Sequence, residues 1–107
     1  MNSKGLGQIE VTFEYSRHVG PRYIHGAVTL LFDSLRPYMF VSNATWPESD
    51  NYEEAIRKAC EEVLIERQGS LNKTHVILKR VVWDSVASCE FGFVKAAQAA
   101  TREAFNV

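Results

Sequence analysis

Between Gln8 and Ser16 the apolar side chains of Ile9, Val11, Phe13 and Tyr15 alternate with Glu10, Thr12 and Glu14. A period of two sets one group against a core and leaves the other in water, so this stretch is predicted to be a strand. The next run, HGAVTLLFD (25–33), is rich in branched and aromatic residues and reads as a second strand. The eight residues between the runs suit a long hairpin loop, and the two strands are expected to be antiparallel neighbours. SLRP then turns the chain into YMFVSNA (38–44), a third short strand, and TWPESD ends regular structure with a proline and several turn formers.

A helical period follows. Tyr52, Ala55, Ile56, Ala59, Cys60, Val63 and Leu64 form one stripe, with Asp50 and Glu53 placed to cap it and Gly69 to end it. On the opposite face Glu53 with Arg57 and Glu54 with Lys58 stand four apart, the order that favours ion pairs. THVILKRVVW (74–83) is a fourth strand. After the dipeptide Asp84-Ser85, the residues Val86, Cys89, Phe93, Ala96, Ala97, Ala100 and Ala104 repeat at helical spacing. That stripe is mostly alanine, so this second helix should lie close on its neighbours.

Strand, strand, strand, helix, strand, helix predicts an α+β two-layer sandwich, a four-stranded sheet with both helices on one face. The later strands carry apolar residues at consecutive positions (Leu30, Leu31, Phe32; Tyr38 to Val41; Val76, Ile77, Leu78; Val81, Val82, Trp83), so both sheet faces are expected to be partly apolar. The uncovered face then either meets another chain or lies under loops and the N-terminal segment. A second copy docked there would be disrupted by a charge at Phe40 or Ile77.

At 107 residues and 46% hydrophobic content, the chain can withdraw roughly 65% of its unfolded surface, enough for one core. A single domain over 1–107 is expected, with residues 1–7 a flexible lead-in. Twelve Lys and Arg against thirteen Asp and Glu leave a net charge of −1, so no global field draws the chain to nucleic acid or an anionic membrane. Any such binding must come from a local patch. Cys60 and Cys89 both fall on apolar stripes, which suits reduced, buried thiols in a cytoplasmic protein better than a secreted disulfide scaffold, a bridge between the two being the alternative. No run reaches the roughly 18 apolar residues of a membrane span.

Chemistry is sparse. No glycine loop ending in Lys and Ser or Thr is present to cradle a nucleotide phosphate. His18, His25 and His75 lack the spacing of a zinc site, and WDS (83–85) reads as a helix cap rather than as part of a nucleophilic triad. Neither an enzyme, a cofactor nor a metal is expected. What stands out is RHVGPRYIHG (17–26), where Arg17, His18, Arg22 and His25 crowd a Gly-Pro turn. Arginine suits bidentate bonds to phosphate, and Tyr23 and Trp83 suit stacking on a base.

The segment VILKRVVWDSVASCEFGFVKAAQAATREAF (76–105) resembles the end of the fourth domain of translation elongation factor G, where a V-x-L strand leads to DSSE, an AF, KxAA and REAF. YEEAIRKACEEVL looks like that domain's first helix, Phe40 and Val41 match its FxFV strand, and Pro47 falls near its proline before the helix. RHVGPRYIHGAV stands where the family has a loop like RQTGGRGQYGHV, with Arg17, Gly20, Arg22, Gly26 and Val28 in common. The resemblance implies the family's sandwich with a left-handed βαβ crossover, and a far end built from two loops, here Arg17 to Ile24 and Val82 to Ser85. In the family that end enters the ribosomal decoding site during translocation.

The chain is expected to be a non-enzymatic module of that fourth-domain type, either standing alone or as one domain of a longer factor. Its tip residues Arg17, His18, Arg22, Tyr23, Trp83 and Asp84 would meet ribosomal or other RNA, or a translation-associated partner. The alternative is a homo-oligomer through the sheet face. Neither a membrane nor a nucleotide is an expected partner. Two departures bear on the tip. The family's GGRGQ becomes GPRYI, and Asp84 stands where the family commonly has a histidine, which sets a negative charge where a phosphate would come.

Overall fold

The structure is a computed structural model that describes residues 7–46, 51–71, 74–82 and 89–105. Its elements run β1 (Gln8–Val19), β2 (Arg22–Asp33), β3 (Met39–Ser42), α1 (Glu53–Gln68), β4 (His75–Val82) and α2 (Glu90–Ala104). The strands form one mixed sheet in the order β1-β2-β4-β3. β1–β2 and β2–β4 are antiparallel, and β3–β4 is parallel, as the α1 crossover between them requires. The architecture is the predicted α+β sandwich.

The pleat sorts the strand residues. Ile9, Val11, Phe13 and Tyr15 of β1 stand level with Phe32, Leu30, Val28 and Gly26 of β2, and together they face the helices. Val76 and Leu78 join them from β4, and Phe40 from β3, opposite Val76. Phe40 therefore packs against the core, which corrects the expectation that it lies on the uncovered face; of the two residues named for that face, only Ile77 does. A bulge at Lys79 shifts the pairing from Leu30–Leu78 to Thr29–Arg80, so that Val81 returns to the helix side opposite Val28.

On the other face, β1 presents Glu10, Thr12, Glu14 and Ser16, several of them bonded across the sheet. The Thr12 and Thr29 hydroxyls lie 2.9 Å apart, Lys79 Nζ meets Glu10 at 3.0 Å, and Gln8 donates to Asp33. Apolar residues collect on the β4–β3 side, where Leu31, Val41 and Ile77 are half-buried and Met39 is exposed. The face is partly apolar, as expected, but only over half its width.

α2 runs along β2 from Gly26, against Gly92, to Phe32, whose ring meets Phe105 at 5.4 Å. Its buried side is Gly92, Phe93, Ala96, Ala97, Ala100, Thr101 and Ala104. A Cβ on Gly26 would sit 2.5 Å from the Gly92 carbonyl carbon, and one on Gly92 would sit 2.7 Å from the His25 oxygen. The closeness inferred from the alanines is thus set by a glycine pair. α1 lies parallel beside α2, with Gln98 bonded to Glu62 and Arg102 to Glu66. It buries Ile56, Ala59, Cys60, Val63 and Leu64, and Gly69 closes it at φ 76°.

Several local expectations differ. The helix N-cap is Tyr52, and Asn51 Oδ1 accepts from the Glu53 N–H; Asp50 lies outside the described residues. Arg57 pairs with Glu54 and Glu61 in place of Glu53. Glu53 instead accepts from the Ser42 hydroxyl and the Trp46 indole, tying α1 to the chain leaving β3, while Tyr38 donates to Glu61. α2 starts at Glu90 behind Cys89, so the Asp84-Ser85 dipeptide is not at its cap. Both cysteines are free thiols, as expected. Cys60 is buried, and burial pushes its thiol up to about 12; Cys89 at the helix end is half-exposed, not a core residue.

Candidate functional site

The eight-residue loop is not a loop. β1 and β2 stay paired through Arg17–Ile24, His18–Tyr23 and Val19–Arg22, leaving a two-residue turn of Gly20 and Pro21. Gly20 takes φ 61°, and the pyrrolidine ring holds Pro21 at negative φ; this is the φ pattern of a type II′ hairpin turn. The proline that departs from the familiar glycine-rich loop therefore stiffens the end of a ribbon. Among the described residues, β4 follows β2 as far as Ala27, opposite Val82. Among the described residues the hairpin beyond that point is two-stranded, and it extends for about 17 Å at roughly 3.4 Å per residue.

The chain leaves β4 at Val82 beside Ala27 and re-enters at Cys89, next to the Phe91–Tyr15 ring contact at 6.1 Å. Both ends of segment 83–88 thus lie on the hairpin's side of the molecule. Trp83 and Asp84, two of the six predicted site residues, lie outside the described residues.

The pleat divides the other four between the two faces of the ribbon. Arg17 and Arg22 lie on the helix-side face, diagonal to one another across the ladder, about 7–8 Å apart at that register. Both are exposed, and neither has a hydrogen bond or ion pair among the described residues. His18 and Tyr23 lie on the opposite face as a cross-strand pair with ring centroids 4.9 Å apart. Tyr23 also stacks on His25, at 6.3 Å and 26° between planes.

Three neighbours hold that row. The Tyr23 hydroxyl bonds to Ser16 Oγ, and His25 Nε2 meets Glu14 Oε2 at 2.7 Å. His25 is buried to 8% exposure, and its Nδ1 has no partner among the described residues. The sequence marks His25 as a donor at the tip but does not reveal it as the floor of the row, nor the parts played by Glu14 and Ser16. The β1 alternation carries the signal, since Glu14, Ser16 and His18 share one side.

Elsewhere the molecule offers less. Among the described residues, no group of three or more His, Cys, Asp or Glu side chains is placed to hold a metal ion. A cavity of about 220 Å³ at the start of the helices is lined by Asn51, Tyr52, Glu54, Ala55, Lys58 and Glu90; it is small for a ligand pocket and has charges of both signs. No helix among the described residues is long and apolar enough to cross a membrane.

No protein-family model matches the sequence, and no curated protein does. Among solved structures, the chain is similar to the crystal structure of a Thermus thermophilus protein designated ttk003000868, with a TM-score of 0.80 and 21% identity. The likeness covers 92% of this chain and 16% of that one, so this fold makes up about a sixth of the larger protein. At that identity it establishes the fold alone.

Proposed function

We propose that the protein is a binding module of the elongation factor G domain IV type, without catalytic chemistry. Its hairpin tip would contact ribosomal or other RNA, or a translation-associated partner. The observation that carries this reading is the pair of exposed guanidiniums, Arg17 and Arg22, on one face of a projecting ribbon, neither with a hydrogen bond or ion pair among the described residues. Arginine forks with no partner among the described residues are open to a ligand, and phosphate is a ligand that their geometry fits. The ordered motif likeness from Arg17 to Phe105 points the same way, and so does the return of the chain at Cys89 on the hairpin's side of the molecule. Because net charge is −1, binding must be local, with few phosphates neutralised and a shallow dependence on salt.

The test is replacement of Arg17 and Arg22 together by Ala. RNA affinity should fall, and the slope of log affinity against log salt should shrink by about one for each phosphate no longer neutralised. A double variant that sediments with ribosomes as the wild type does would remove the tip as the binding site.

A second reading rests on the apolar half of the far sheet face, where Leu31, Val41 and Ile77 adjoin the exposed Met39. A second copy of the chain would cover it.

A further inference from the structure

Resting on the reading of the tip as an RNA-binding element, we propose that Tyr23 is a stacking platform for an unpaired RNA base, while Arg17 and Arg22 hold phosphates on the opposite face of the same hairpin. The ring is accessible, at 40% exposure, although its hydroxyl is occupied by Ser16. The polar end of the side chain is thus satisfied within the ribbon, and what remains for a ligand is the aromatic surface. His18, across the ladder, and His25, two residues along the strand, lie beside the ring. His25, buried and tethered to Glu14, fixes the row before any ligand arrives, so little ordering entropy opposes binding.

Charge sorts the ligand between the faces. Glu14, 62% exposed on its side chain, stands on the ring face and disfavours phosphate there. Among the described residues of the hairpin beyond Ala27, the arginine face carries Arg17, Arg22 and Ile24 and no acidic side chain. β1 is an edge strand, so a polynucleotide can pass around the ribbon's free side with a base on one face and its phosphates on the other. That path requires a base with an open π-face. In an A-form duplex each base is covered by its neighbours, whereas loops, bulges and single strands offer such bases. The ligand is accordingly an unpaired nucleotide within RNA, and the recognition tolerates any base because every base has a stacking face.

The test measures fluorescence anisotropy of the full chain with three labelled RNAs: a single strand of about twelve nucleotides, the same strand with abasic sites, and the same sequence in a duplex. The wild type should bind the intact strand on the order of tenfold more tightly than either of the others. Tyr23→Leu should erase that preference and leave the abasic affinity unchanged. Tyr23→Phe, which lacks the Ser16 bond, and Tyr23→Trp should both keep the preference, and this separates stacking from a role of the hydroxyl in folding. Replacing Arg17 and Arg22 by Ala should weaken all three RNAs alike. Equal binding of the intact and abasic strands by the wild type overturns the stacking proposal and leaves the RNA reading standing. Absence of binding to all three overturns both.

Discussion

At the scale of single residues, the fold turns on the contact between Gly26 and Gly92. A Cβ on Gly26 would meet the backbone carbon of Gly92 at 2.5 Å and the Phe93 nitrogen at 2.7 Å, and backbone cannot move aside by changing rotamer. Gly26→Ala and Gly92→Ala should each lower stability by about 1–3 kcal/mol, read as a drop in the urea midpoint. The double variant should cost less than the sum, because one displacement of α2 relieves both clashes. An additive pair of losses would show that the residues act separately. The alanines of α2 announce a close approach, but nothing in the chain pairs Gly26 with Gly92, because they are far apart in sequence and meet only when the helix is laid on β2. Phe40 makes the same point: in a four-residue strand with an apolar run, the side that faces the core depends on register with β4.

At the scale of elements, the sequence pattern makes β1 and β2 too short and their connection too long. Arg17, His18, Arg22 and Tyr23 lack the apolar alternation that marks a strand, yet ladder pairing continues through them because the Gly20-Pro21 turn has the twist that flanking strands need. The other end of β2 makes a prediction about acid. Asp33 Oδ1 accepts the Leu35 N–H at 3.0 Å, and chiefly this bond, with smaller help from Gln8, holds its carboxyl below the ordinary 3.8. A carboxylate with a lowered value in the folded state contributes stability above its unfolded value, and that contribution is lost as pH falls through the folded one. Urea midpoints should therefore fall between roughly pH 5 and pH 2, and Asp33→Asn, which keeps an acceptor for Leu35 but carries no charge, should lose less over that interval. Equal losses in both proteins would assign the acid sensitivity elsewhere, for example to Glu54, held low by its hydrogen bond from Arg57.

At the scale of the whole molecule, the far sheet face separates the two functional readings. Its β1 half is bonded side chain to side chain, and its apolar half is a strip of Leu31, Ile77, Val41 and Met39, narrow for a stable dimer. Light scattering on the wild type should find a monomer, and Ile77→Glu should leave that mass unchanged. A dimer that Ile77→Glu dissociates would favour the oligomeric reading. The order of elements, the helix stripes and the concentration of arginine and histidine at one turn are determined by the sequence alone, because periodicity and composition are local properties of a chain. The tertiary structure decided that the ribbon projects beyond β4, that Arg17 and Arg22 face away from His18 and Tyr23, and that His25 and Glu14 brace the ring row. Those facts depend on strand register and on which elements stop short of their neighbours, and register arises only when distant segments pair.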